Sequence, residues 1–106
     1  MVVKKLSIIV PCYNEVRTLP QVYTTLLALD LGVEKEIIII DDGSSDGSKE
    51  FLIQESMVAP AQVRFYFHEK NKGKGAALRL GIRMASGDAL IVQDADLEYD
   101  PHDMKI

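Results

Sequence analysis

The sequence has a single cysteine, Cys12, among its 106 residues. No intrachain disulfide can form, so packing must hold the fold, and a reducing compartment suits such a chain. Positive charge is not in excess either: 12 Lys and Arg stand against 16 Asp and Glu, for a net charge of −4. A general nucleic-acid binder needs a basic face, so no nucleic-acid partner is expected. A phosphate-bearing ligand would need a cation or a local basic loop to offset the acidic balance. No apolar run reaches the roughly 18 residues that a membrane-spanning helix needs. Lys4 and Lys5 precede only a short apolar run before Pro11, which is not the pattern of a secretory signal peptide. Internal repeats, low-complexity segments and interdomain linkers are missing as well. The length allows one domain, and a hydrophobic content of 47% makes it globular rather than disordered.

What the chain does have is alternation. Residues 6–10 read as a strand that Pro11 ends, since proline cannot donate to a ladder. Thr18 and Gln21 have the spacing of a capping box, and Leu19, Val22, Tyr23, Leu26 and Leu27 follow at helical spacing, predicting a helix over 19–29. Residues 36–40 form a second strand; its four successive isoleucines imply burial on both faces, as inside a parallel sheet. Asp41-Asp42-Gly43-Ser44-Ser45-Asp46-Gly47 predicts a tight turn into a helix capped by Ser45 or Asp46 and running to about Met57. A third strand spans 63–67. A basic, glycine-bearing loop, 68–75, leads to a helix over 76–85 with Leu78, Ile82 and Ala85 on one face. Residues 89–92 have the length and branching of a buried strand. Pro101 suits the first turn of a further helix.

Strand and helix alternating in this way predict an α/β fold, a Rossmann-like parallel sheet with helices on both faces. Ligands of such sheets bind beyond the carboxyl ends of the strands. The polar clusters fall there: Pro11 to Glu15, Asp41 and Asp42, the 71–75 loop, and Asp94 with Asp96. Asp94 and Asp96 are two apart, so in extended chain they face one point with Ala95 turned away. Hard divalent cations take such oxygen ligands and keep positions open for substrate phosphates. An acidic pair in a turn is an ordinary strand terminus too, and agreement among the clusters on one rim favours the site. Asp42 could accept hydrogen bonds from a base or ribose, or serve as turn-maker beside Gly43; Asp41 reads as structural. Gly73 and Gly75 would admit a phosphate to backbone N–H groups at a helix start, with Lys72 and Lys74 adding charge or merely being solvated. Tyr13 and Glu15 either line the site or pack over the sheet edge. Cys12 reads as a small buried residue, and His68 and His102 as non-catalytic.

Four stretches in order, Leu6-Ser7-Ile8-Ile9-Val10-Pro11-Cys12-Tyr13-Asn14-Glu15, then Asp41-Asp42-Gly43-Ser44-Ser45-Asp46-Gly47, then Asn71-Lys72-Gly73-Lys74-Gly75-Ala76, then Asp94-Ala95-Asp96, resemble the family-2 nucleotide-sugar glycosyltransferases of the GT-A fold. The run Gln93-Asp94-Ala95-Asp96-Leu97-Glu98-Tyr99-Asp100-Pro101 looks most like the dolichyl- or polyprenyl-phosphate sugar transferases among them. The resemblance implies an inverting sugar transfer from a UDP- or GDP-sugar donor, with a lipid phosphate as the favoured acceptor. Pro11, Tyr13 and Glu15 would flank the nucleotide, Asp42 would contact base or ribose, and Asn71, Lys72 and Gly73 would border the pocket. Asp94 and Asp96 would be the family's aspartate-x-aspartate motif, holding the donor diphosphate through magnesium or manganese. Family members continue well past this motif. Residues 1–106 are therefore expected to be the nucleotide-sugar-binding, N-terminal part of a truncated glycosyltransferase domain, weakly active or inactive alone, with the catalytic base outside the chain. Self-association through apolar surface is expected, as is a cytoplasmic location at a membrane face in the full-length protein.

Three other readings compete. A receiver-type signalling domain also binds magnesium with acidic residues, but its acidic pair ends the first strand, where this chain has Pro11-Cys12-Tyr13. A non-catalytic sugar-nucleotide-binding module fits the same residues. A nucleotidyltransferase would carry a glycine-rich, arginine-containing loop after the first strand, which is absent.

Overall fold

A computed structural model describes residues 2–96. Four parallel strands, β1 (Lys5–Cys12), β2 (Glu34–Asp42), β3 (Val63–His68) and β4 (Ala89–Val92), lie in the order β3-β2-β1-β4. Between them run α1 (Leu19–Ala28), α2 (Ser48–Ser56) and α3 (Lys74–Met84). The further helix expected at Pro101, and His102, fall outside the described residues.

Strand order follows from the two central strands. Ile37, Ile38, Ile39 and Ile40 are all 1% exposed or less, and Ile8, Ile9 and Val10 match them on β1. Strands this apolar must be covered on both faces. One face packs Ile8, Val10, Ile37 and Ile39 under Leu19, Val22, Tyr23 and Leu26 of α1 and Leu52 of α2. Tyr23 sets its ring edge-on to Phe51, 6.1 Å between centroids. The other face packs Ile9, Ile38 and Ile40 under Ala77 of α3. Gly81 lets that helix come close: a Cβ there would lie 2.5 Å from the Ile9 side chain. The chain moves outward through β2 and β3 with α1 and α2 on one face, then returns to β4 with α3 on the other. A constant crossover hand requires that change of face. The reversal of strand order lies between β1 and β4, where such sheets open a crevice.

Several expectations change. Pro11 does not end the first strand: β1 continues through Cys12, with Pro11 beside Ile40 and Cys12 beside Asp41. The missing N–H falls on the β4 side. There the last rung is the Gln93 amide donating to the Ile9 carbonyl at 2.9 Å, and the next would come from residue 11. Proline thus ends one ladder and spares the other. The capping box does not form, since Thr18 makes no side-chain cap to α1. Its hydroxyl donates instead to the Ala95 carbonyl at 2.7 Å. The α2 cap is Gly47, at φ 108°, rather than Ser45 or Asp46. Asp46 acts from one residue earlier, accepting from the Ser48 amide and hydroxyl. On α3 the inward face carries Ala77 and Gly81, while Ile82 is 51% exposed. Among the described residues strand β4 is a half-exposed edge: it pairs only with β1, and Leu90 and Val92 are 43% and 48% exposed.

Candidate functional site

The carboxyl ends of the strands converge on one cavity of about 350 Å³. Pro11, Tyr13, Glu15, Asp42, Asn71, Asp94 and Asp96 line it, together with Cys12, Lys74, Ala77 and Ala95. All the rim clusters read from the sequence therefore meet. Of the residues singled out there, Asp41, Lys72, Gly73 and Gly75 do not line the cavity; the backbones of Lys72 and Gly73 hold its wall.

That wall is organised by Asp42. Its position at the end of β2 sets it beside His68 at the end of β3. The carboxylate side chain is 3% exposed, and each oxygen accepts twice. Oδ1 accepts from the Lys72 amide at 2.9 Å and lies 2.7 Å from His68 Nδ1. Oδ2 accepts from the Gly73 amide at 2.8 Å and the Asn71 side-chain amide at 3.0 Å. Burial alone would raise its pKa, but the His68 hydrogen bond and the two amides outweigh it, and the group titrates below the ordinary carboxylate value. Gly43 makes the approach of this loop feasible: at φ 75°, a Cβ there would lie 2.5 Å from the Asn71 nitrogen.

The neighbouring wall is two loops stitched together. Asn14 takes the left-handed conformation, φ 52°, which asparagine tolerates. Its amide donates to the Ser44 hydroxyl, and its side-chain oxygen accepts from the Ser45 amide at 2.8 Å. The Glu15 amide donates to the Ser48 hydroxyl and the Val16 amide to Asp46. Asp41 is fully buried beneath, and one of its oxygens accepts from the Ser44 amide. Its other oxygen has no hydrogen-bond partner among the described residues. Burial, followed by the charge of Asp41, pushes the Cys12 thiol up to about 12. It is no nucleophile at neutral pH.

The third wall is the end of β4. Ala95 is 2% exposed and packs in the core between α1 and the sheet, so the aspartates on either side are left to the cavity. Negative charge gathers here: burial first, then Asp96, Asp46 and Asp94, raise the pKa of Glu15. Lys74, the first residue of α3, answers it with an ammonium 2.6 Å from Asp94 Oδ1. Among the described residues no three His, Cys, Asp or Glu side chains lie close enough to chelate a metal. Two aspartates on an open cavity nevertheless fit magnesium or manganese, which bind through one or two carboxylates and leave positions for phosphate and water.

Sequence reasoning passed over three contributors. His68 appeared isolated, and only the β2–β3 register shows it to be Asp42's partner. Lys74 reads in sequence as loop charge beside Lys72, whereas it begins α3 and reaches Asp94. Thr18 carried a capping signal that masked its bond to the aspartate loop.

The comparisons with known proteins agree with this geometry. Residues 7–105 match the model of glycosyl transferase family 2. The chain belongs to that family. The undecaprenyl-phosphate 4-deoxy-4-formamido-L-arabinose transferases of Salmonella paratyphi B and Salmonella newport are 38% identical to it over 104 residues, covering 96% of this chain. The family-2 chain spans 32% of their length. Solved structures share its fold as well. The mannosyltransferase PcManGT from Pyrobaculum calidifontis, in complex with GDP-Man and Mn2+, superposes with a TM-score of 0.74 at 22% identity, over 91% of this chain and 28% of that one. S. aureus TarS 1-349 in complex with UDP gives 0.72 at 23% identity, over 87% and 27%. The sheet and helices of residues 2–96 are thus the Rossmann-like portion of a GT-A glycosyltransferase fold. No described helix is long and apolar enough to cross a membrane.

Proposed function

We propose that residues 1–106 are the nucleotide-sugar-binding part of an inverting glycosyltransferase whose acceptor is a polyprenyl or dolichyl phosphate. The observation that carries the reading is the single cavity on which all the family's motifs meet. The 38% identity to undecaprenyl-phosphate sugar transferases supports the lipid acceptor. A fold neighbour holding GDP-Man with Mn2+ supports a nucleotide donor and a divalent cation.

Pro11, Tyr13 and Glu15 flank the nucleotide in this reading, and Asn71, Lys72 and Gly73 form the pocket edge. Asp42 reaches base or ribose only by exchanging one of the bonds it makes to that edge; otherwise it shapes the pocket by fixing the loop. Asp94 and Asp96 hold the divalent cation, magnesium or manganese. The cation would act as Lewis acid, offsetting charge on the departing nucleoside diphosphate. The acceptor oxygen bonds to the anomeric carbon from the face opposite the diphosphate as the carbon–diphosphate bond breaks, so configuration inverts. A phosphate acceptor is already anionic and needs little help from a base. Further acceptor contacts and any base are assigned to sequence beyond these residues, and the full-length protein to the cytoplasmic face of a membrane.

Calorimetric titration with UDP, GDP and their sugar conjugates, with and without Mn2+, tests the reading. One nucleotide should bind in a metal-dependent manner, and Asp96→Ala should lose that binding. A folded chain that binds none of them, even when extended to relatives' length, would overturn it.

Self-association belongs to the same reading. Leu90 and Val92 pair with Ser7 and Ile9, so they lie on the α3 face of an edge strand and are exposed. An apolar strip beside an unpaired edge invites a second copy. Light scattering should show mass rising with concentration; a monomer at high concentration would refute this.

A further inference from the structure

We propose that Lys74 is a tethered cation that holds Asp94 until a nucleoside diphosphate draws its ammonium away, so that divalent metal binds well only together with that ligand. The inference rests on the donor-site reading and deepens it.

The backbone around Lys74 is fixed, and its ammonium is paired in part with solvent-exposed charge. Asp42 holds the amides of Lys72 and Gly73, and α3 begins at Lys74 itself. The side chain then crosses the cavity to Asp94, with the lysine 58% and the aspartate 27% exposed. An ion pair this wet is weak and exchanges easily. It also conflicts with a metal. A divalent cation on Asp94 would lie beside the ammonium held at Oδ1, and two positive centres that close repel. Metal alone must therefore displace the lysine at a cost.

A diphosphate removes the conflict. It brings negative charge to the same cavity and offers the ammonium a partner other than Asp94. The first turn of α3 carries no acidic residue to oppose an anion, and its N–H groups add a favourable partial charge. With Lys74 turned to phosphate, Asp94 is released to the metal. Each ligand then improves the site for the other, and that coupling must be reciprocal.

The test measures Mn2+ binding by the loss of its free electron paramagnetic resonance signal, for wild type, Lys74→Met and Lys74→Arg. Each is measured with Mn2+ alone and with Mn2+ plus UDP or GDP. Lys74→Met should tighten the binding of Mn2+ alone by about two- to five-fold, the worth of an exposed ion pair. It should weaken binding of the metal and nucleotide together. Lys74→Arg, which keeps the charge, should follow wild type with Mn2+ alone. If Lys74→Met leaves Mn2+ alone unchanged or weaker while wild type binds Mn2+ with a nucleotide, the tether is wrong and the donor site stands. If folded wild type, extended to relatives' length, binds Mn2+ with neither nucleotide, the donor site and the tether fall together.

Discussion

Replacing Asp42 with alanine should lower the stability of the chain by about 2–4 kcal/mol and abolish donor binding. The carboxylate is the common acceptor for His68, Asn71 and the amides of Lys72 and Gly73. Without it those donors turn to water, and the wall of the cavity loses its fixed position. Asp42→Asn should recover little. An amide offers one acceptor oxygen, and its NH2 would meet N–H groups on the other side. Acid should mimic the mutation. The folded pKa of Asp42 is lowered, so its contribution is complete above the ordinary carboxylate value and is lost as pH falls through the folded one. Urea unfolding at pH 7 measures the first effect and nucleotide titration the second. Stability within 0.5 kcal/mol of wild type, roughly that of a neutral surface change, would show that the loop holds itself.

The second large effect lies at the opposite end of the sheet. Glu36, 4% exposed, accepts from the Ser7 hydroxyl at 2.6 Å, Arg64 at 2.6 Å, and both the amide and hydroxyl of Ser86. Arg64 also donates to the Met84 carbonyl, so the cluster ties β1, β2 and β3 to the end of α3. Burial works against the charge, but the Ser7 bond, the two Ser86 bonds and Arg64 overcome it, lowering the pKa from 4.5 to about 2. Glu36→Ala leaves Arg64, Ser7 and Ser86 without their carboxylate and should cost about 2–4 kcal/mol, since Arg64 is partly exposed and keeps the Met84 carbonyl. In wild type the group's stabilisation is complete above pH 4.5 and disappears toward pH 2, about 3 kcal/mol in all at 1.36 kcal/mol per pH unit. The variant should show a flatter stability profile over that window, by chemical denaturation at a series of pH values. A profile parallel to wild type would place the stabilisation elsewhere. Donor affinity at neutral pH should be unchanged, which separates this cluster from Asp42.

The sequence was most readable where one physical demand dominates. Four isoleucines in a row have only one comfortable place, and they occupy it at the centre of a parallel sheet. The rim clusters were legible because alternation puts every second connection at the same end. Less legible was what partners supply. Pro11 could be read as a strand terminator, but which ladder it terminates depends on whether β2 or β4 lies on its N–H side. Thr18 advertised a local bond and spent its hydroxyl on a residue 77 positions away. Strand β4 carries the branching of a buried strand, yet burial belongs to neighbours, and α3 covers β1 and β2 instead. Glu36 looked like the plain start of a strand, because the serines and arginine that justify it come from three separate segments.

Ala95 has an unusual neighbourhood. It is packed into the main core and its carbonyl is held by Thr18 just before α1, while both adjoining residues face the cavity. The aspartate loop therefore cannot open as a small independent segment; releasing it means lifting a side chain from the same cluster that secures the sheet. Ligand binding and global unfolding then share one cooperative unit. A ligand held by Asp94 and Asp96 should slow hydrogen exchange in the buried amides of β1 and α1, remote from any contact with it, as well as in the loop itself.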